Sequence, residues 1–223
     1  MTGEGDRPEA EVTAALADAA SALVSDVLDR MGRRDQVLDP AIRPLWPEAR
    51  FVGVAVPVVI VADSSEPDLP YDGELTALDG LRPGDVPMFV VEPGVRAASW
   101  GELFSCAAIG RGAAGVVVDG LVRDAAQIKA LGFPTFARGL SPLDTFGRAI
   151  VTGIGVEAVV GGVEVTPGDL IVGDVDGIVA IPRAVAADVA AAVVTKHRLE
   201  GNARDDLLAG LGIREVWKKY GVL

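Results

Sequence analysis

Between residues 51 and 137 the sequence alternates short apolar runs, rich in β-branched residues, with segments of helical character. Helices are expected from about Asp72, Gly101 and Arg123, between the runs FVGVAVPVVIVA, VPMFVVE, GVVVDG and FPTFA. Strands buried on both faces appear as continuous apolar runs, and strands that alternate with helices form parallel βαβ units. The pattern therefore predicts an α/β fold built on a parallel sheet.

The segments on either side of this region differ in character. Apolar residues at helical spacing over about 8–32 predict an amphipathic helix that ends at Gly32. After Gly139, short strands separated by Gly, Pro and Asp turns predict a mainly β region, and the pattern over about 183–220 predicts two closing helices. No linker or repeat divides residues 1–223, so one mixed α/β domain is the simplest expectation. A β half packed beside an α/β half stays open as an alternative.

Charge and cysteine content disfavour several classes of function. The formal net charge is -12 at pH 7, whereas a nucleic-acid-binding surface needs clustered Lys and Arg. Cys106 is the only cysteine, so no intrachain disulfide can form. The N-terminus lacks the pattern of a signal peptide, and no apolar run approaches the roughly 20 residues of a membrane span. We therefore expect a cytoplasmic protein that binds neither nucleic acid nor membranes.

Several familiar catalytic arrangements do not fit the sequence. GRGAAG (110–115) has the glycine spacing of a dinucleotide-binding loop, but it follows a helix and precedes a strand, so we interpret it as a helix end. The only histidine, His197, lies among charged residues and is expected to face solvent, which disfavours a hydrolase triad or a zinc site. Lys129 is expected to be exposed, unlike a Schiff-base lysine. Cys106, on an apolar helix, is expected to be buried.

One group of polar residues remains. Glu102 opens one predicted helix, and Arg123 and Asp124 open the next, with twenty residues between Glu102 and Arg123. If the strands before these helices are parallel neighbours, both helix starts lie at the carboxyl edge of the sheet, where open α/β folds bind ligands. The three side chains are therefore expected to converge. Asp119 is expected to point toward the same edge.

Each residue type in this group has a chemical use. Carboxylates are hard oxygen ligands that suit Mg2+ and Mn2+, which makes Asp124 the natural direct ligand. The Arg123 guanidinium can bind a substrate oxygen and stabilise negative charge on it. The amides at the start of a helix, from Gly101 to Phe104, can hold a carboxylate. Spacing alone leaves a second interpretation open, in which Glu102 and Asp124 only complement helix dipoles and Arg123 pairs with one of them.

The region around this group resembles a known family. Residues 100–142 closely resemble the family of 4-hydroxy-4-methyl-2-oxoglutarate aldolases and regulators of ribonuclease activity A, in the run WGELFSCAAIGRGAAGVVVDGLVRDAAQIKALGFPTFARGLSP. Flanking segments resemble it too, namely ALVSDVLDRMG, LRPGDVPMFV and GGVEVTPGDLIVGDVDGIVAIP. The resemblance implies an RraA-like fold, a compact β/β/α swivelling-type domain with mixed sheets and flanking helices. It also implies a homotrimer or a hexamer with active sites at the subunit interfaces.

The resemblance extends to individual site residues. The aldolase branch of the family has an acidic residue, twenty further positions and then Arg-Asp, which corresponds here to Glu102, Arg123 and Asp124. It implies that Asp124 binds Mg2+ or Mn2+, that Glu102 contacts the metal through water, and that Arg123 steadies a pyruvate enolate. A glutamate of a neighbouring subunit approaches the metal in such aldolases, and Glu200 is the candidate here. The substrate carboxylate is expected on the amides around Gly101, Glu102, Leu103 and Phe104.

By the same resemblance the chain is expected to be a class II, metal-dependent aldolase. Its substrate would be 4-hydroxy-4-methyl-2-oxoglutarate or 4-carboxy-4-hydroxy-2-oxoadipate, and oxaloacetate decarboxylation would pass through the same enolate. Two alternatives stay open: a non-catalytic regulator that binds a ribonuclease or a helicase, and another reaction on a 2-oxo acid. The pair of Arg123 and Asp124 favours the lyase, because a pure binding protein needs no metal ligand beside such an arginine.

Overall fold

A mixed β-sheet forms the centre of the fold. The computed structural model describes residues 10–66 and 68–222. Within them the strands are β1 (Arg43–Pro44), β2 (Phe51–Ala62), β3 (Asp85–Val91), β4 (Val116–Val122), β5 (Thr135–Leu140), β6 (Ala149–Ile154), β7 (Ala158–Val160), β8 (Val163–Val165), β9 (Leu170–Gly173) and β10 (Ile178–Ile181). The helices are α1 (Ala10–Ala15), α2 (Ser21–Arg30), α3 (Asp72–Asp79), α4 (Glu102–Gly110), α5 (Ala125–Leu131), α6 (Ala186–Leu208) and α7 (Ile213–Tyr220). The predicted α/β class is confirmed.

The parallel part of the sheet consists of β2, β3, β4 and β5. Val58 lies beside Phe89, and Phe89 lies beside Val118, in parallel register. Val118 lies in turn beside Ala137 of β5. The connecting helices α3, α4 and α5 make this region the series of βαβ units that the alternating runs predict. The carboxyl ends of all four strands therefore lie along one edge of the sheet.

Antiparallel strands complete the sheet on both sides. In the described residues the order is β1, β5, β4, β3, β2, β9, β10, with β6 also paired to β2, and β7 and β8 form a separate two-stranded sheet. The mainly β character predicted after Gly139 is thus confirmed. The GRGAAG segment ends α4: Gly112 has φ +77°, and its amide returns to the carbonyl of Ile109 at 2.9 Å. This conformation, which favours glycine, agrees with the helix-end interpretation.

The N-terminal prediction of one helix over about 8–32 is wrong in one respect, because two helices, α1 and α2, occupy this segment. Residues 8 and 9 lie outside the described residues. At the break, Arg50 donates to the carbonyl of Ala17 at 2.7 Å, and Asp174 accepts hydrogen bonds from the amide and hydroxyl of Ser21 at 2.7 and 2.6 Å. Tertiary partners thus satisfy the backbone at the break. The apolar periodicity continues across it because both helices pack on one core.

Trp100 anchors the loop between β3 and α4. Its side chain is 1% exposed and stacks on Phe133 at 6.2 Å between ring centroids, with Phe89 and Phe104 against it edge-on. The indole nitrogen donates to the Ser105 hydroxyl at 2.8 Å, so the buried polar atom is satisfied. Such an anchor fixes the residues that follow it, which are the start of α4.

The closing helices α6 and α7 correspond to the pair expected over about 183–220, after a short 3-10 helix at Arg183–Val185. Helix α6 packs against α1 and α2, and its buried side chains belong to the same apolar cluster as residues of β9 and β10. None of the helices in the described ranges has both the length and the apolar character that a membrane crossing requires.

Candidate active site

Four loops meet at the carboxyl edge of the parallel strands. They follow β2, β3, β4 and β5 and lead into α3, α4, α5 and β6. Backbone hydrogen bonds join the second loop to the third: the Ser99 amide donates to the carbonyl of Leu121, and the Arg123 amide donates to the carbonyl of Trp100, each at 2.9 Å. The start of α4 therefore lies directly beside the residues that follow β4.

Gly101 permits this close approach. A Cβ atom at this position would lie 2.8 Å from Oδ2 of Asp124 and 3.2 Å from Cγ of Arg123. The backbone of Gly101 is extended, with φ -158°, so the requirement for glycine comes from the neighbouring side chains and not from the dihedral angle. A larger residue here would displace Arg123 or Asp124.

The first amides of α4 face this junction. The Glu102 amide donates to Oδ2 of Asp124 at 3.2 Å, and the first bond of the helix is from the Ser105 amide to the carbonyl of Gly101 at 3.1 Å. The amides of Leu103 and Phe104 therefore have no acceptor inside the helix. Three amides and the positive end of the helix dipole favour an anion here. The Asp124 carboxylate already accepts a hydrogen bond from one of these amides.

Asp124 adopts a strained backbone conformation at the start of α5. Its φ is +60°, in the left-handed region, which costs a non-glycine residue roughly 1–2 kcal/mol although aspartate tolerates it better than most. The side chain is 38% exposed, and within the described residues its contacts fall on Oδ2. Oδ1 is therefore available to a ligand, and the fold fixes the backbone conformation of the residue that carries it.

Arg123 lies between two carboxylates. Its Nε atom is 3.7 Å from Oδ2 of Asp124, and Nη1 donates to Oδ2 of Asp144 at 2.8 Å. The hydrogen bond to Asp144 raises the pKa of the guanidinium above its usual value, although partial burial opposes this effect. Arg123 therefore stays fully cationic, with a shorter contact to Asp144 than to Asp124.

Asp144 and Tyr71 complete the site, and the sequence interpretation missed both. Burial favours the neutral form of Asp144, but hydrogen bonds from the Phe146 amide, Arg123 and Tyr71 hold the pKa of its carboxyl below its usual value. Burial and the nearby Asp144 raise the pKa of the Tyr71 phenol. Asp144 follows β5, and Tyr71 follows β2. The rule that ligands bind at the carboxyl ends of parallel strands located Arg123, and it indicates these two loops as well when it is applied to every parallel strand.

A buried carboxyl lies next to this group. Glu74 on α3 is 3% exposed, and its Oε1 accepts a hydrogen bond from the Thr145 hydroxyl at 3.4 Å. Burial raises the pKa of this carboxyl. A cavity of about 250 Å³ lies against Glu74, Tyr71 and Thr145.

An open cleft of about 490 Å³ lies over Arg123 and Asp124, between the start of α5 and residues 140–142. It is large enough for a small organic acid. A larger open cavity of about 680 Å³ lies between α1 and β2, beside Asp18 and Arg50. The cleft over Arg123 is the better candidate because two charged side chains and a strained residue line it, and Asp124 also meets the first amide of α4.

Two acidic residues of the predicted group behave differently from Asp124. The backbone of Glu102 joins the site, and its half-buried side chain extends from the first turn of α4. Asp119 does not face the site, contrary to the expectation. Its Oδ1 pairs with Arg138 on the neighbouring strand, and its Oδ2 accepts from the Gly161 amide at 2.7 Å. A cross-strand arginine thus draws this carboxylate away.

Four residues outside the site have defined surroundings. Glu200 forms an ion pair with the buried Lys196 at 3.0 Å on α6. If Glu200 also contacted a metal ion of a neighbouring subunit, it would have to share this carboxylate between Lys196 and the metal or break the ion pair. His197 and Lys129 are exposed, as predicted. The prediction that Cys106 is buried is wrong: it lies on the exposed side of α4, because that helix turns apolar residues outward as well as inward.

Comparisons with known proteins agree with the fold. A family model described as RraA-like, Aldolase/RraA, matches residues 13–180. A protein of Halalkalibacterium halodurans named putative 4-hydroxy-4-methyl-2-oxoglutarate aldolase is 36% identical over 163 residues, which cover 72% of this chain and 71% of that protein.

Solved structures extend the similarity over most of the chain. The structure of an uncharacterized protein of Pseudomonas syringae pv. tomato superposes with a TM-score of 0.86 at 25% identity. The alignment covers 99% of this chain and 99% of that chain. RraAS2 of Streptomyces coelicolor, described as an unusual member of the RNase ES inhibitor RraA protein family, has a TM-score of 0.79 at 26% identity, with 89% of this chain and 98% of that chain covered.

Proposed function

Because the chain belongs to the RraA-like, Aldolase/RraA family, we propose that it is a divalent-metal-dependent lyase that cleaves a 2-oxo acid through a pyruvate enolate. The observation that carries the proposal is the Asp124 carboxylate beside the Arg123 guanidinium at the amide end of α4. A relative named as a putative aldolase supports the reaction class. The candidate substrates are 4-hydroxy-4-methyl-2-oxoglutarate, 4-carboxy-4-hydroxy-2-oxoadipate and oxaloacetate.

The residues present fit Mg2+ or Mn2+. In residues 10–66 and 68–222 no three Asp, Glu, His or Cys side chains gather to hold a metal by themselves. Mg2+ is commonly held by only one or two carboxylates, with waters and substrate oxygens in the other positions. Asp124 would be the direct ligand, and Glu102 would act through water. Glu200 of a neighbouring subunit stays a candidate for a further contact.

The residues of the site divide the chemical work. A bound metal ion would act as a Lewis acid on the 2-oxo group. The amides of Leu103 and Phe104 bind the substrate carboxylate, and Arg123 donates to the 2-oxo oxygen. When the C3–C4 bond breaks, its electron pair forms the enolate while the 4-hydroxyl gives its proton to water in the cleft and becomes a carbonyl. Arg123 stabilises the negative charge that develops on the enolate oxygen, and protonation at C3 then gives pyruvate.

The proposal includes an assembly of identical subunits, a trimer or a hexamer. Apolar side chains are exposed at the start of α4, where Leu103 is 78% exposed, and near the chain end, where Leu208 and Trp217 are 81% and 51% exposed. Large exposed apolar side chains such as these are candidates for a subunit interface. Because Leu103 lies next to Glu102, an interface on α4 would border the active site.

A second candidate function is a non-catalytic regulator that binds a ribonuclease or a helicase. One observation favours it: a solved structure of the same fold is described as a member of an RNase ES inhibitor family. The lyase remains the better proposal, because an inhibitor surface does not require a strained aspartate beside an arginine and free helix amides.

We expect the purified protein to release pyruvate from 4-hydroxy-4-methyl-2-oxoglutarate or from oxaloacetate in the presence of Mg2+ or Mn2+. Excess chelator should reduce the rate at least about a hundredfold, because Lewis-acid stabilisation of the enolate is lost. The measurement is pyruvate release coupled to lactate dehydrogenase, with the metal added back as the control. A rate unaffected by chelator contradicts the proposal. A folded, metal-loaded protein inactive on both substrates would favour the regulator or another 2-oxo acid.

A further inference from the structure

The two carboxylates on either side of Arg123 compete for one guanidinium. Nη1 lies 2.8 Å from Asp144, whereas Nε lies 3.7 Å from Asp124. A charged hydrogen bond at the shorter distance is the stronger contact, so Asp144 determines where the planar group points. Without Asp144, the nearest anion for the guanidinium would be Asp124 itself.

Asp144 is itself held in place from two sides. The Phe146 amide donates to Oδ1 at 3.1 Å, which fixes the carboxylate within its own loop. The Tyr71 phenol, in the loop that follows β2, lies near enough to the same carboxyl to help lower its pKa. Three loops of the sheet edge therefore meet at this carboxylate, those after β2, β4 and β5.

Backbone strain marks both ends of this chain of contacts. Tyr71 and Asp124 are the only non-glycine residues with positive φ in the described ranges, at +64° and +60°. A tyrosine rarely adopts this conformation, and strained residues persist where the surroundings impose them, often at functional sites. Tyr71 also contacts the ring of Phe146, at 6.5 Å between centroids. The strain and the hydrogen bonds point to one built arrangement that runs from Tyr71 through Asp144 and Arg123 to Asp124.

We propose that Asp144, supported by Tyr71, is a positioning residue that holds the Arg123 guanidinium away from Asp124. Asp124 then keeps its carboxylate available for the cation, and Arg123 directs its remaining donors to the substrate. The negative charge of Asp144 also offsets the repulsion between Arg123 and a cation bound at Asp124. This inference rests on the proposed function, since it assigns to Asp124 the role of metal ligand.

The test is the Asp144→Asn variant of the full chain, which preserves shape and removes the charge. The dissociation constant for Mn2+ alone, measured by the electron paramagnetic resonance of free Mn2+, is expected to rise about tenfold because Arg123 turns to Asp124. The kcat for oxaloacetate decarboxylation should fall by about the same factor with KM changed less. Asp144→Glu should recover most of both losses, and Tyr71→Phe should show a smaller loss of about threefold.

A double-mutant cycle separates positioning from folding. In an Arg123→Met background, Asp144→Asn should change the Mn2+ dissociation constant less than about twofold, since Asp144 acts through the arginine. Asp79→Asn is the matched control, because it removes a carboxylate that pairs with another arginine, Arg111, at 2.6 Å. This control should leave Mn2+ binding and kcat close to those of the wild type.

The possible results are distinct. Unchanged Mn2+ binding in Asp144→Asn, no recovery in Asp144→Glu, or equal losses in the two arginine backgrounds would each overturn the positioning role while leaving the lyase proposal intact. If Asp144→Asn does not fold, Tyr71→Phe and Asp144→Glu decide the question by the same two measurements. Mn2+ binding that is absent in the wild type, or unaffected by Asp124→Ala, would overturn the metal site and this inference together.

Discussion

Replacing Asp124 by alanine is expected to abolish Mn2+ binding and to lower pyruvate release at least about a thousandfold, or about 4 kcal/mol. Asp124 is the one carboxylate of the site that meets Arg123 and the amide end of α4 while keeping Oδ1 for a ligand. Its loss removes the direct ligand and leaves Arg123 without its second acidic neighbour. The measurements are Mn2+ titration and the coupled pyruvate assay.

The Asp124→Asn variant separates chemistry from stability. Asparagine tolerates a positive φ and can still accept a hydrogen bond from the Glu102 amide, so the variant should melt close to the wild type. It should nevertheless lose most of its metal affinity, because a neutral amide is a weaker ligand than a carboxylate. Asp176→Ala, at an exposed carboxylate between β9 and β10, is the control and should change neither property. Activity in Asp124→Asn that equals the wild type would contradict the assignment.

Replacing Arg123 by methionine is expected to lower kcat about a hundredfold to a thousandfold, the usual effect of removing one donor to a developing oxyanion. Methionine preserves much of the length and apolar volume of arginine, so the change isolates the charge and the donors. Mn2+ binding should not weaken and should even improve, since a cation next to Asp124 is removed. Initial rates over a range of substrate concentrations, together with Mn2+ titration, check both parts.

Arg123→Lys is the matched variant for this experiment. Lysine retains the positive charge but not the planar fork that contacts Asp144 and the substrate at the same time. We expect kcat between that of the wild type and that of Arg123→Met. A kcat close to that of the wild type in Arg123→Met would show that this side chain does not stabilise the transition state.

The part of the site that the sequence predicts follows from one topological rule. Parallel strands place their carboxyl ends at the same edge, and this rule alone predicts that Glu102, Arg123 and Asp124 converge. The same rule applies to β2 and β5, but no obvious motif surrounds Tyr71 or Asp144. Their roles depend on side-chain hydrogen bonds between loops that are distant in sequence, and sequence spacing does not encode such bonds.

The errors also have physical causes. The break between α1 and α2 is made by Asp174 and Arg50, which lie far along the chain and satisfy the backbone there. Apolar periodicity reports burial, and burial continues across the break. The prediction for Cys106 fails because α4 is apolar on most sides, so apolar character does not distinguish its buried face from the exposed face that also carries Leu103 and Ile109. The prediction for Asp119 rests on its position near a strand end, and its partner Arg138 on the neighbouring strand overrides that position.

Enolate formation from pyruvate itself tests the metal-dependent lyase assignment without depending on the identity of the full substrate. Exchange of the methyl protons of pyruvate for deuterium in D2O can be followed by proton NMR with Mg2+ as the metal. We predict exchange that requires the protein and Mg2+, stops with chelator and is absent in Asp124→Asn. Exchange no faster than in buffer, or exchange that persists without metal or in the variant, would contradict the account.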